Sequence, residues 1–198
     1  MDFVLRYRGP IHANGDPKEK HSIRKVIHKQ LKILCAQEPL LKDAQKENLP
    51  QGTLHSREVK VPRPLKSMFY TVSLCGYQFV PIINRPHELA CALEILMLRR
   101  EKPGAIISHG GDLDNRLKTL FDALRMPHHK SELSGVKIPS KEERMYCLLE
   151  DDSLITRVSV NTQQLLEPSS KETSKSIVEL LIHVFIESMY PMRGNIGF

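Results

Sequence analysis

Cysteine is scarce in this chain. Its four residues, Cys35, Cys75, Cys91 and Cys147, are spread so that no C-x-x-C pair arises. That spacing argues against a zinc site or a disulfide framework and leaves reduced thiols as the default. No apolar run reaches the length of a membrane span, and the opening MDFVLRYRG has no signal-peptide core, so the expectation is a soluble, cytoplasmic protein without a membrane partner. The sequence also shows no internal repeat and no low-complexity tract.

What is present fits a globular domain. Hydrophobic residues make up 40% and charged residues 26% of 198 positions, enough to build a substantial buried core in one domain spanning 1–198. The formal net charge is +6 and the isoelectric point about 9.2. A basic balance favours an anionic partner, and nucleic acid fits better than a membrane surface.

Along the chain, DFVLRY at 2–7 reads as a strand with Phe3 and Leu5 on one face, followed by a turn-rich loop with Asn14-Gly15 as its clearest bend. A helix is expected from about Ser22, as N-cap, to Gln37, with Ile23, Ile27, Leu31 and Leu34 inward. Its polar side carries Arg24, Lys25, Lys29 and Lys32, close in sequence to Lys18 and Lys20. A solvated face is the ordinary explanation of such a row; phosphate contact is the sharper one. Residues 39–67 read as loop with a short helix near Leu40 to Glu47. FYTVSL, Cys75-Gly76 and YQFVPII then form a hairpin whose second arm Pro81 marks as an edge strand. LACALEILMLRR has a composition that also permits a helix and is read as a strand. SLITRVSV and SIVELLIHVFIE close the chain as two strands expected to be antiparallel neighbours.

The chemistry concentrates in GGDLDNRLKTLFDAL and, some way on, LLEDDSLI. Asp112 or Asp114 can cap a helix whose apolar stripe is Leu113, Leu117, Leu120, Phe121 and Leu124 and which Met126-Pro127 terminates. Lys118 lies four residues after Asp114 and four before Asp122, so all three share a face and Lys118 can pair with Asp122. Asp151 and Asp152 stand at the mouth of a later strand. Carboxylates drawn from separate elements suit a hard cation such as Mg2+, and a lysine beside it can neutralise phosphate charge. Taken singly, each acid is as well explained by capping or turning the chain. His109, His128 and His129 read as loop histidines; His128 and His129 beside Lys130 suit a DNA-contacting loop better than a metal.

The pattern D-L-D-N-x-x-K-x-x-x-D-A-L followed by D-D before a strand resembles that of the RusA family of Holliday junction resolvases. It matches here at Asp112, Leu113, Asp114, Asn115, Lys118, Asp122, Ala123, Leu124, Asp151 and Asp152. The resemblance covers about 89–166, with a final strand near 176–188. It implies a Mg2+-dependent endonuclease (Mn2+ as substitute, no small-molecule cofactor beyond the metal) that resolves branched DNA in a prokaryotic or phage-infected cell. It also implies a homodimer with one site per subunit. Asp112, Asp114 and Asp152 would be the metal ligands and Lys118 the catalytic lysine, with Asp151, Asp122 and Asn115 as accessory residues. Lys18, Lys20, Arg24, Lys25, Lys29, Arg116, His128, His129 and Lys130 are the candidate nucleic-acid contacts. The expected fold is a single RusA-like α+β domain, β-α-ββ-β-α-β-β, with one mixed sheet under two main helices.

The chain departs from the family pattern in an insert at about 127–147, in extra length over 35–83, and in an opening without the family's proline-rich start. Two alternatives stay open: a RusA-like nuclease with another nucleic-acid substrate in phage biology or defence, and a non-catalytic DNA-binding subunit of a complex.

Overall fold

A computed structural model describes residues 1–38, 71–100, 113–166 and 177–190. The expected helix at 40–47, the loop His109-Gly110-Gly111 and Asp112 lie outside them. The described chain runs β1 (Asp2–Pro10), α1 (Pro17–Gln37), β2 (Val72–Leu74), β3 (Tyr77–Ile83), β4 (Leu89–Arg99), α2 (Leu113–Leu124), β5 (Glu143–Leu149), β6 (Ile155–Gln164) and β7 (Ile177–Ser188). The class is α+β, as expected. The strands, however, divide into two sheets, ordered β1-β7-β4-β6 and β2-β3-β5.

Three expectations are corrected here. β6 and β7 are not neighbours, because β4 lies between them, parallel to β6 and antiparallel to β7. β4 can do so because Leu89, Ala90, Cys91, Ala92 and Leu93 are all buried, the signature of a central strand. The insert is not wholly an addition to the core, since Glu143, Arg144, Met145, Tyr146 and Cys147 begin β5, which pairs in parallel with β3. β3 is therefore a middle strand. Pro81 is accommodated there beyond the last β2 pair, Val72↔Phe79, and pairs in register with Cys147. The hairpin bend itself is as expected: Cys75 and Gly76 both have positive φ, 49° and 77°, as a two-residue primed turn demands.

The main core lies under one face of the larger sheet. β7 alternates strictly, sending Val178, Leu180, Ile182, Val184 and Ile186 inward. Ile23, Ile27, Leu31 and Cys35 of α1 and Leu120, Ala123 and Leu124 of α2 cover that face. A second cluster, of Tyr77, Phe79, Met126, Leu133, Met145 and Cys147, fills the space beneath the smaller sheet. None of the four cysteines is in a disulfide bond, and three of them are buried. Among the described residues no helix is long and apolar enough to cross a membrane.

α1 begins earlier than Ser22. Asp16 is its N-cap, accepting the Glu19 N–H at 2.8 Å, and Pro17 occupies the first turn. Ser22 sits inside the helix and donates its hydroxyl to the Lys18 carbonyl at 2.9 Å. Because α1 is gripped by two clusters, its buried arc is wider than one stripe and includes His21 and Arg24. His21 lies 5.2 Å from the Tyr77 ring, and neither ring nitrogen has a hydrogen-bond partner among the described residues. Burial, with Arg24 and Lys25 nearby, lowers its pKa to about 4.

A pH dependence follows. The folded pKa lies below the unfolded value of about 6.5, so the unfolded chain binds the extra proton. Stability is fully present above about pH 6.5 and is lost as the pH falls through about 4, a change of up to roughly 3 kcal/mol. Urea unfolding at pH 7 and pH 4.5 should show the loss in the wild type and a flatter response in His21→Leu. Equal losses in both would remove His21 as its origin.

Candidate active site

α2 presents two different sides. Arg116, Thr119, Leu120, Ala123 and Leu124 face inward, while Leu113, Leu117 and Phe121 of the expected stripe are only partly covered, although they pack on the same core. Asp114 and Lys118 are exposed, four residues apart, and so project from adjacent turns of one face. Asp114 stands in the first helical turn, where a carboxylate is favoured by the helix dipole, and its Oδ1 accepts the Asn115 N–H at 2.9 Å. The Asn115 carbonyl accepts the Thr119 hydroxyl at 3.1 Å. Lys118 forms no ion pair among the described residues.

Asp122 does not orient Lys118. Its carboxylate takes Lys20 Nζ at 2.8 Å and Arg125 Nη2 at 3.0 Å, and Arg125 also bonds Glu132 at 2.8 Å. Burial alone would raise the Asp122 carboxyl, but Lys20 and Arg125 hold it below the usual carboxylate range. Arg24, only 2% exposed, donates to the carbonyls of Asp122 at 2.8 Å and Arg125 at 3.1 Å, satisfying the end of α2. Asp122 is thus part of the joint between α1, α2 and the turn Lys130–Leu133. Asp122→Ala should cost about 1–3 kcal/mol by stranding partly buried cations. In a correctly folded sample it should leave any single-turnover cleavage rate within a few-fold. A rate loss far larger than the stability loss would return Asp122 to the chemistry.

The two acids of the pair differ. Asp151 caps the 3-10 turn Asp152–Leu154, accepting the Ser153 N–H at 3.0 Å and a very short bond from the Ser153 hydroxyl. The Ser153 hydroxyl is the main influence that lowers the Asp151 carboxyl below its ordinary value, assisted by the Ser153 N–H, His128 and Arg85 against burial. Arg85 Nη2 lies 3.6 Å and His128 Nε2 3.7 Å from its carboxylate. Asp152 is exposed and has no ion-pair partner among the described residues. The turn that carries it packs against α2 and β4. Asp114, Lys118 and Asp152 are therefore outside any ion pair among the described residues and stand on elements in contact, whereas Asp122 and Asp151 are committed to structure.

The loop at 12–15 is fastened to the same helix. The Gly15 N–H donates to Thr119 Oγ1 at 2.9 Å, and that hydroxyl lies 3.0 Å from the His12 carbonyl. A Cβ on Gly15 would meet Thr119 Cγ2 at 2.6 Å, so close docking here requires glycine.

The expected nucleic-acid contacts separate into two groups. Lys18, Lys25, Lys29 and Lys130 are exposed and outside any ion pair among the described residues. Arg24 and Arg116, 2% and 4% exposed, are inward and unavailable to phosphate, and Lys20 is held by Asp122. His128 is exposed but its Nε2 lies 2.9 Å from the Glu150 carbonyl, fixing the ring beside the acid turn; His129 is exposed, its N–H donating to Glu132 at 3.2 Å. Sequence inspection gave no sign of Arg85, Arg125 or Glu132 as neighbours of the site, because each acts across a fold-level contact or through a turn.

Asp114 and Asp152 supply hard, charged oxygen donors suited to Mg2+, and Asp112 lies outside the described residues. Among the described residues no group of three or more acidic, histidine or cysteine side chains is placed to hold a metal ion. No family model, no curated protein and no solved structure matches this chain.

Proposed function

We propose that the chain is a RusA-like, Mg2+-dependent endonuclease that cuts branched DNA by phosphodiester hydrolysis. The observation that carries this reading is selective exposure. Asp114, Lys118 and Asp152 are exposed and unpaired, while the nearby acids Asp122 and Asp151 are held by arginine, lysine, histidine and serine.

On this reading Asp112, Asp114 and Asp152 would hold the metal, which would supply an activated water and stabilisation of the leaving oxygen. Lys118, one turn into α2, meets the negative charge that grows on the phosphoryl oxygens. Asp151 keeps the turn that presents Asp152 in shape, and Arg125 with Asp122 keeps α2 in place. The exposed lysines Lys18, Lys25, Lys29 and Lys130 would draw the polyanion in. A homodimer would set two such sites about a twofold axis, matching paired nicks in a symmetric four-way junction.

The test is cleavage of labelled four-way junctions, forks, duplex and single strands with Mg2+, Mn2+ or EDTA. Nicking of branched substrates with either metal and none with EDTA is expected. Preferential cutting of an unbranched nucleic acid would assign the alternative substrate, and binding without turnover would assign a non-catalytic DNA-binding subunit.

A further inference from the structure

A cleft of about 650 Å3 opens between α1 and the segment that leads into β5, away from the acid pair. His28 and Lys32 form one wall; Lys137, Lys141 and Arg144 form the other. Two carboxylates also line it. Glu142 Oε1 accepts the Ser73 hydroxyl at 3.0 Å, and Glu143 donates its backbone N–H to the Gly76 carbonyl at 3.0 Å as it enters β5. Four formal positive charges therefore face two negative ones. None of the four cations forms an ion pair among the described residues, although carboxylates are at hand.

The cleft has built walls. The Tyr77 hydroxyl donates to the Lys137 carbonyl at 3.1 Å, which together with the Ser73 and Gly76 contacts ties 137–143 to the β2-β3 hairpin. On the other side the Tyr146 N–H donates to His28 Nδ1 at 2.9 Å, and the two rings stack at 5.7 Å. With Nδ1 accepting, a neutral His28 carries its proton on Nε2 and offers an N–H donor. Burial first, then Lys32, lowers the His28 pKa, which favours this neutral form.

The row on α1 runs into this cleft. Lys25, Lys29 and Lys32 fall at i, i+4 and i+7, spanning about 10 Å of helix. Lys32 lies about 18 Å along α1 from Lys20, which touches α2 through Asp122. A compact anion is met by converging donors in a closed pocket. An open cleft continuing a linear row of cations fits a chain of regularly spaced charges, such as a nucleic-acid duplex with one per about 1.7 Å of its axis.

We infer that Lys25, Lys29 and Lys32 with Lys137, Lys141 and Arg144 form a second nucleic-acid track, which holds the phosphate backbone of a substrate arm remote from Asp114 and Lys118. The track rests on the nucleic-acid part of the proposed function and is independent of cleavage.

The measurement is anisotropy of labelled duplex and junction DNA in EDTA, from about 50 to 200 mM salt. The full chain is compared with Lys32→Gln/Lys141→Gln/Arg144→Gln. All three side chains are exposed, and an unchanged Tm verifies the fold. Affinity should fall about tenfold, and the slope of log K against log salt should flatten by about 2 to 3, as expected for three lost phosphate contacts. The charge-preserving set Lys32→Arg/Lys141→Arg/Arg144→Lys should retain both. An unchanged affinity and slope overturns the track, as does equal loss in the charge-preserving set. Polyglutamate of matched charge that binds as tightly, and is lost in the same variant, would reassign the surface to acidic protein partners. Wild-type protein that binds DNA but never cuts it would defeat the nuclease reading alone, since the salt slope still decides the track.

Discussion

Asp114→Asn protein should retain its fold and most of its DNA affinity while losing nicking by at least about 10³-fold, since a metal ion contributes several kcal/mol to such a reaction. The amide keeps the volume of the carboxylate and can still accept the Asn115 N–H that Asp114 Oδ1 takes at 2.9 Å. It loses the negative charge that holds a hard cation. The side chain is exposed, so little packing is disturbed and the change in stability should stay near 0.5 kcal/mol. Removing a negative charge from the proposed polyanion-binding surface should leave binding in EDTA equal or stronger. Three measurements on one sample distinguish the outcomes: Tm, affinity in EDTA, and nicking in Mg2+. Full cleavage by folded Asp114→Asn would dismiss Asp114 from the site, and loss of fold would leave it a structural residue of the first turn of α2. Raising Mn2+ tests the same idea from the metal side, because a weakened ligand set should recover partly at high metal.

Legibility in the sequence followed the range of each interaction. The placement of Asp114 and Lys118 on one exposed face needs only helical periodicity, so it could be read directly. The strand character of 89–99 and the Cys75-Gly76 bend are equally local. Arg24 is the instructive failure. Its place beside Ile23 suggested the polar edge of α1, but a second cluster under the smaller sheet buries that edge too, and the guanidinium closes the end of a helix about 100 residues away. Asp122 failed in the same way. Lys118 was its neighbour in sequence, yet Lys20 and Arg125 hold it. β5 was hidden because ERMYCLL becomes a strand by pairing with β3, a parallel contact between segments more than sixty residues apart. The order of β6 and β7 was misjudged because adjacency in sequence does not show that β4 will pair with both.

Lys118→Ala should lower the single-turnover rate at saturating protein by about 10² to 10³, the range for removing one preorganised charge from a transition state. Affinity measured in EDTA should change by no more than a few-fold. The asymmetry follows if the ammonium acts on charge that develops only as the phosphoryl group reacts, so that the interaction is stronger in the transition state than in the bound substrate. The structure supplies the setting: Lys118 is exposed on α2 and no described carboxylate claims it, so its charge need not be withdrawn from a salt bridge before use. The helix beneath it is fixed by the Thr119 bonds to the loop at 12–15 and by the joint at Asp122, so truncating Lys118 should leave that frame intact. Lys118→Arg separates charge from shape. It keeps the cation but spreads it over a broad planar fork, so it should recover DNA affinity fully and rate only in part. An affinity loss matching the rate loss, with an unchanged rate at saturation, would make Lys118 a phosphate anchor. The charge stabilisation would then have to come from the metal held by the carboxylates alone.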